Sequence, residues 1–401
     1  LTVGIFQRTT ACPYCYDQIN PNALAVRCSG KAAPGKQACG EATDQNRVKY
    51  FGDATPVRPT IVDAAGAQKL SRNEATCGLC GSESAIRVCP HCHSRLPRNF
   101  DSDSPMFGLV GVRGSGKTVM LAVLQRDLYT TIAQRFQASI DSPGGKAGLS
   151  SDLELLLKGM ENQGGSLPEQ TAQKSTGMSI PAVFEWRYAK KGFGNRDRQV
   201  STIFSFYDSA GEDLATEDRA LGQHYLGATD GVIILLDPFG FSGNRDLAVA
   251  KGVDPESLET EPETVLRAIT TVLQTAERTK KNKRIKQPVA VVVSKIDAFF
   301  DDIPPDHPVR RPAQRLPYFD DAESRDIHDH VAAMIDRWGG GQLLRLLEAN
   351  YENYRLFGAS ALGAEPEYQQ LKVNTRGLLP HRVADPLLWL MADRGFLAKE
   401  D

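Results

Sequence analysis

No cysteine follows Cys92 in this 401-residue chain; all eight lie between Cys12 and Cys92. That silence sets a cysteine-bearing N-terminal quarter apart from a cysteine-free remainder. No long uninterrupted apolar run exists, which excludes an evident transmembrane helix. A hydrophobic N-terminal signal segment is also missing, so the expectation is a soluble, cytoplasmic protein. Charge of one sign is not in excess: 47 Lys and Arg against 49 Asp and Glu leave a net charge of −2. The molecule as a whole therefore has no electrostatic bias toward nucleic acid or membrane. Its length is enough for two or three domains and a sizeable core.

In a cytosolic chain, clustered Cys-x-x-Cys pairs argue for metal rather than disulfides. Cys77-Gly-Leu-Cys80 and Cys89-Pro-His-Cys92 form two knuckles whose four thiolates suit the tetrahedral preference of Zn²⁺. Gly78, Gly81 and Pro90 fit such turns. His91 and His93 are alternative ligands, but four thiolates already complete a shell. A second, looser zinc set is Cys12, Cys15, Cys28 and Cys39, where Gly30, Pro34 and Gly35 loop the last two together. Spacing also permits a cross-brace in which the pairs alternate between two metals. Such short segments need metal to fold, on the order of 10–16 kcal/mol per structural site. Acidic residues are interspersed among Arg27, Lys31, Lys36, Arg87, Arg95 and Arg98, so protein docking or rigidification is expected rather than nucleic-acid binding. The expected division is a zinc module at 1–45, a connecting segment at 46–76, a four-cysteine ribbon at 77–98, a linker at 99–104 and a nucleotide-binding domain at 105–401.

The most informative stretch is Leu109-Val-Gly-Val-Arg-Gly-Ser-Gly-Lys-Thr-Val119. An apolar segment leads into Gly111-x-x-x-x-Gly116-Lys117-Thr118 and a helix-forming segment follows, the pattern of a phosphate-binding P-loop. In that reading Gly111, Val112, Arg113, Gly114, Ser115 and Gly116 wrap backbone N–H groups around a β-phosphate at a helix N-terminus. Lys117 neutralises the β- and γ-phosphates, and the Thr118 hydroxyl ligates Mg²⁺.

Leu121, Leu124, Leu128, Ile132 and Phe136 predict an amphipathic helix after the loop. Five further apolar runs cover 180–188, 200–207, 231–236, 288–293 and 354–357. Helical segments, including 262–280 and 322–351, separate most of them, with Trp338-Gly-Gly-Gly341 breaking the latter. Alternation of this kind predicts an α/β fold: a mostly parallel six-stranded sheet with helices on both faces. Ligands in such sheets sit at the carboxyl ends of strands. Asp208, leaving the second run, suits the Mg²⁺ water shell, and Gly211 offers an N–H to a γ-phosphate. Ser294-Lys295-Ile-Asp297 closes another strand, where the carboxylate accepts from guanine N1 and N2 while the lysine stem covers the base. Ser360 and Ala361 close the last, where a backbone N–H meets guanine O6.

These residues resemble the Ras-like, translation-factor-related P-loop GTPases over residues 105–400. The phosphate loop maps to 111–118, the second switch to 208–211, the [NT]KxD motif to 294–297 with Ser294 in place of Asn or Thr, and the guanine loop to 360–361. Leu167-Pro-Glu-Gln-Thr171, Tyr225 to Asp237-Pro238, and Arg382-Val-Ala-Asp-Pro386-Leu-Leu-Trp389, behind zinc knuckles, are also similar to the bacterial double-GTPase family. That resemblance implies a role in conflict or antiphage systems beside other GTPases and effector proteins. It also implies a first-switch threonine that meets Mg²⁺ and the γ-phosphate, Thr171 or Thr176, with Thr171 favoured.

Glu212 stands where a water-orienting Gln often follows the second switch, and Arg113 occupies a loop position that is normally small. Arg113 acts as a built-in arginine finger, obstructs the site or points to solvent; slow hydrolysis accelerated by a partner is expected. The resulting expectation is a GTP-hydrolysing switch with GTP or GDP, Mg²⁺ and two Zn²⁺, acting on a partner protein. One alternative is a nucleotide-binding scaffold with negligible hydrolysis. Another is a zinc-dependent nucleic-acid-binding ATPase. The basic run from Arg278 to Lys286 reads as a solvated helix end.

Overall fold

The cysteine-rich quarter is built from strands of two to four residues joined by tight turns. A computed structural model describes residues 9–61, 68–71, 74–97, 100, 105–111, 114–142, 149–161, 165–168, 180–191, 197–206, 225–258, 260–276 and 283–400. Strands β1 (Thr10–Ala11) and β2 (Gln18–Ile19) make one hairpin. β3 (Ala25–Arg27) pairs antiparallel with both β4 (Thr60–Ile61) and β8 (Ile86–Val88). Between them, β5 (Gln68–Ser71), β6 (Glu74–Thr76) and β7 (Glu83–Ser84) form a third small sheet. A helix at Gln45–Phe51 is capped by the Asp44 carboxylate, which accepts from the N–H groups of Asn46 and Arg47. The β3 pairings join segments on either side of the positions at 45 and 76 where module boundaries were expected.

The remainder is organised by four continuous apolar runs. β9 (Phe107–Gly111), β13 (Gly231–Leu236), β14 (Val289–Val293) and β16 (Tyr354–Gly358) form a wholly parallel sheet in the order β16-β14-β13-β9. Every residue of β9, β13 and β14 is buried, as expected for a parallel sheet covered on both faces. On one side lie the helices Pro262–Ala276, Asp321–Arg337 and Gly341–Asn350; on the other lie Lys117–Asp127 and Asp385–Asp393, the last placing Trp389 in the core.

The expected single six-stranded sheet is corrected here. The runs at 180–188 and 200–207 form strands β11 (Ala182–Lys191) and β12 (Asp197–Phe206), but they pair antiparallel with each other. With β10 (Ser139–Asp141) they make a separate three-stranded sheet. The reason is connection length: a parallel partner needs a crossover of a dozen or more residues, and only 192–196 lie between these strands. Two short strands, β15 (Phe319–Asp320) and β17 (Lys399–Glu400), close the C-terminus.

The helix predicted after the loop is present, with a π-helical turn at Leu128–Ile132 continuing into Ala133–Arg135. The late helix breaks as expected, ending at Arg337 and restarting at Gly341. The C-terminal helix is pinned by Arg382, whose guanidinium lies 2.8 Å from both Glu323 Oε1 and Asp385 Oδ2. No helix among the described residues is long and apolar enough to cross a membrane.

Candidate nucleotide site and cysteine clusters

Register alone brings the candidate site together. Gly111 of β9 pairs with Leu235, Leu236 of β13 pairs with Val293, and Val293 of β14 pairs with Gly358 of β16. The loops that begin after Gly111, Leu236, Val293 and Gly358 therefore open on one edge of one sheet. Ligand sites in parallel α/β sheets occupy this carboxyl edge.

In the first loop, Gly114 and Gly116 adopt left-handed backbone angles, φ 78° and 82°. Gly116 then caps the helix Lys117–Asp127 without any side-chain acceptor. The glycine loop thus leads directly into a helix N-terminus, where the aligned peptide dipoles favour an anion. Lys117 folds back over the loop, its Nζ donating to Gly111 O at 2.7 Å, and Ser115 is buried beside it. Gly111 must be glycine for a steric reason: a Cβ there would lie 2.8 Å from both Leu235 O and Ser115 Oγ. Thr118 follows at the second helical position. Val112 and Arg113 lie outside the described residues, as do Thr171, Thr176, Asp208, Gly211 and Glu212.

Two strands away, Ser294 ties the end of β14 to β13, its N–H and hydroxyl both donating to Leu236 O. Lys295 takes a left-handed conformation, φ 51°, and its Nζ donates to Asp237 Oδ2 at 2.6 Å. Asp237, the first residue after β13, is buried, so its charge requires such a partner. Its other oxygen accepts from Phe239 N, capping a short 3-10 turn.

Asp297 is also largely buried, and burial raises its pKa; a hydrogen bond from the Ser360 hydroxyl opposes the rise, nearby Glu365 adds to it and Lys295 counters it. Ser360 is itself held by a two-way backbone bridge to His381 and accepts from Gly363 N at 2.7 Å. The structure thus joins Asp297 and Ser360, with Ala361 beside them, at the edge that carries the phosphate-type loop. Asp237 was given no role by sequence reasoning; the signal available was an acid leaving a fully apolar strand directly before Pro238.

The eight thiols group differently from the expectation. Cys12, Cys15, Cys89 and Cys92 converge, and so do Cys28, Cys39, Cys77 and Cys80. The pairing of Cys77 and Cys80 with Cys89 and Cys92, and of Cys12 and Cys15 with Cys28 and Cys39, is therefore corrected. The arrangement is nested: the outer two knuckles share one site and the inner four cysteines the other, which is neither sequential nor an alternating cross-brace. Antiparallel pairing of β3 with β8 causes it by laying the two ends of the module side by side.

Three knuckles share one geometry. The N–H of the residue after the second cysteine donates to the first cysteine's carbonyl, at Tyr16, Gly81 and His93. All three residues sit at positive φ. The Sγ–Sγ separations are 3.9 Å for Cys12–Cys92, 3.8 Å for Cys15–Cys89, 3.5 Å for Cys28–Cys80 and 3.8 Å for Cys39–Cys77. A tetrahedron with Zn–S bonds of ~2.3 Å has edges of about 3.8 Å, so both sulfur sets fit that ion. Burial pushes the Cys12 thiol well up, and hydrogen bonding among the four sulfurs adds to the rise. Only a cation would make four thiolates stable together there. His93 takes no ligand position: its Nδ1 contacts the Asp44 carboxylate at 2.9 Å.

A curated relative from Mycolicibacterium smegmatis, named "Putative ESX-1 scaffolding and assembly protein SaeC", is 24% identical over 418 aligned positions, covering 96% of this chain and 99% of the relative. No protein-family model matches the chain. Among solved structures, the signal recognition particle receptor SRb-GTP/SRX complex of Chaetomium thermophilum is 14% identical, covering 66% of this chain and 94% of that one, with a TM-score of 0.27. The GTP-bound Ski7 GTPase-like domain of S. cerevisiae is 14% identical, covering 67% and 46%, with a TM-score of 0.32. Both TM-scores are low.

Proposed function

We propose that this chain is a guanine-nucleotide-binding switch whose N-terminal module, divided from it at 99–104, is held together by two structural Zn²⁺ ions. One observation carries the reading: the glycine loop ending at Thr118 and the Asp297–Ser360 pair open on the same edge of one parallel sheet. An anion cradle and a buried carboxylate on one rim match a triphosphate tail and a purine that donates two N–H bonds. In this reading the N–H groups of 112–117 and the Lys117 ammonium hold the β- and γ-phosphates, and the Lys295 stem lies along the base. Thr118 and Asp208, with Thr171 rather than Thr176, would hold Mg²⁺, which screens phosphate charge. Hydrolysis of GTP and water to GDP and phosphate is part of the proposal, with Gly211 and Glu212 at the γ-phosphate. Arg113 is the residue by which turnover could be slowed or assisted.

The test is titration with GTP, GDP, XTP and ATP. An Asp297→Asn variant is expected to lose guanine selectivity by up to about 10⁴-fold and to gain xanthine nucleotide. Equal affinity for ATP and GTP, or steeply salt-dependent binding to DNA or RNA, would favour the nucleic-acid-binding ATPase instead.

A second reading, a nucleotide-binding scaffold with little hydrolysis, is supported by the curated relative's name, because that similarity spans nearly both chains. Single-turnover hydrolysis no faster than in a Lys117→Ala control would select it. The conflict-system role rests on sequence resemblance alone, and the relative's name directs attention to an assembly partner instead.

A further inference from the structure

We propose that Tyr16, carried on the outer cysteine knuckle, is a positioning residue for the nucleotide site, so that metal loading of Cys12, Cys15, Cys89 and Cys92 governs nucleotide retention. This rests on the reading that the site binds guanine nucleotide. Tyr16 follows Cys15 directly, sits at φ 62° and is buried. Its ring lies 4.8 Å from the Tyr225 ring, and its hydroxyl lies 3.2 Å from Ser205 Oγ. Ser205 Oγ donates to Pro13 O at 2.6 Å, inside the same knuckle, which leaves the Tyr16 hydroxyl as donor to Ser205.

The two partners bracket the second-switch motif in sequence. Ser205 lies in β12, three residues before Asp208, and Tyr225 lies fourteen residues after Gly211. The Tyr225 hydroxyl also accepts from Leu109 N at 2.9 Å, in β9 two residues before Gly111. One knuckle therefore touches the chain on either side of the second-switch sequence, at Ser205 and Tyr225, and through Tyr225 the strand that leads into the glycine loop. The outer cysteines share a hydrophobic cluster with Tyr16, Val110, Ile203 and Tyr225. The inner cysteines belong to a separate cluster with Val26, Ile61 and Ala75. Among the described residues, the outer cysteines alone share a cluster with the parallel sheet.

The experiment measures dissociation of fluorescent GDP and of a fluorescent non-hydrolysable GTP analogue from the full chain, beside zinc content. Tyr16→Phe keeps the ring and removes the hydroxyl; Ser205→Ala removes the acceptor; Tyr50→Phe removes another hydroxyl of the same module, one that donates to Asp17. Tyr16→Phe and Ser205→Ala are expected to speed release of the GTP analogue about three- to tenfold and release of GDP less, with Tyr50→Phe unchanged. Cys12→Ser should lose one zinc and release the analogue at least as fast as Tyr16→Phe. Equal acceleration of both nucleotides would mark a merely structural contact and overturn the proposal, as would unchanged rates in either hydroxyl variant or in Cys12→Ser. Absence of nucleotide binding by the unmodified chain would instead remove the functional reading itself, and this proposal with it.

Discussion

Gly111 is the position where a single methyl group tests the candidate site. An added Cβ would press on Leu235 O, which belongs to the neighbouring strand and cannot swing away. Gly111→Ala is expected to destabilise the fold by about 1–3 kcal/mol and to weaken GDP binding at least tenfold, read by thermal unfolding and titration. Arg382 makes a different test. Its guanidinium is buried against Glu323 and Asp385, and removing it strands two acids. Arg382→Ala should cost about 3–5 kcal/mol of stability, whereas nucleotide selectivity in the surviving folded fraction should stay unchanged. Asp297 links the site to pH. Burial holds its carboxyl above the ordinary carboxylate range. The group's contribution to stability is therefore full below the unfolded value near pH 4 and is lost as pH rises through the raised one. In the proposed site guanine binding runs the other way, because its N–H donors need the ionised form. Affinity for GDP should fall on acidification, beginning above pH ~4; a profile flat down to that point would leave Asp297 outside the base site.

At the scale of elements, the segment that precedes Thr171 is tied to the loop that follows β16. Leu167 N donates to Leu371 O at 2.6 Å and Val373 N to Gly165 O at 2.9 Å, around a bridge between Ser166 and Lys372. Segments 165–167 and 371–373 thus meet through an isolated antiparallel bridge, a contact that no local motif announces. Leu167→Pro removes one donor while Leu167→Ala keeps it; release of GDP should be severalfold faster in the proline variant than in the alanine one, as expected for one hydrogen bond. Most elements were legible because each is a local pattern. Continuous apolar runs gave the four parallel strands, and the positions of Gly111, Asp297 and Ser360 at their ends followed from that. The β11–β12 hairpin was missed as a separate sheet although Gly192-Phe-Gly194-Asn195 lies between the runs, turn chemistry too short for a crossover. Pairing across a long sequence gap, as between 165–167 and 371–373, leaves no periodic trace.

Across the whole molecule, the least legible feature was which knuckles meet. Cys-x-x-Cys spacing defines a knuckle but says nothing about its partner, and the decision is made by β3 pairing with β8 across the module. The nested grouping has a direct stoichiometric consequence. A double variant Cys12→Ser/Cys89→Ser strikes one site only and should retain about one zinc per chain, measured by elemental analysis of the native protein; sequential pairing would leave none. Nesting also fixes the order in which the ligands of each site are synthesised. The inner contacts close over sequence separations of 38 and 52 residues, the outer ones over 74 and 80. Closure entropy rises only about 0.6 kcal/mol per doubling of length, so the difference is less one of energy than of sequence. A chain emerging from a ribosome has all four inner sulfurs before it has Cys89, and it completes the outer set immediately before β9 appears. The set whose ligands are synthesised last is thus the one that packs against β9, the strand leading into the glycine loop.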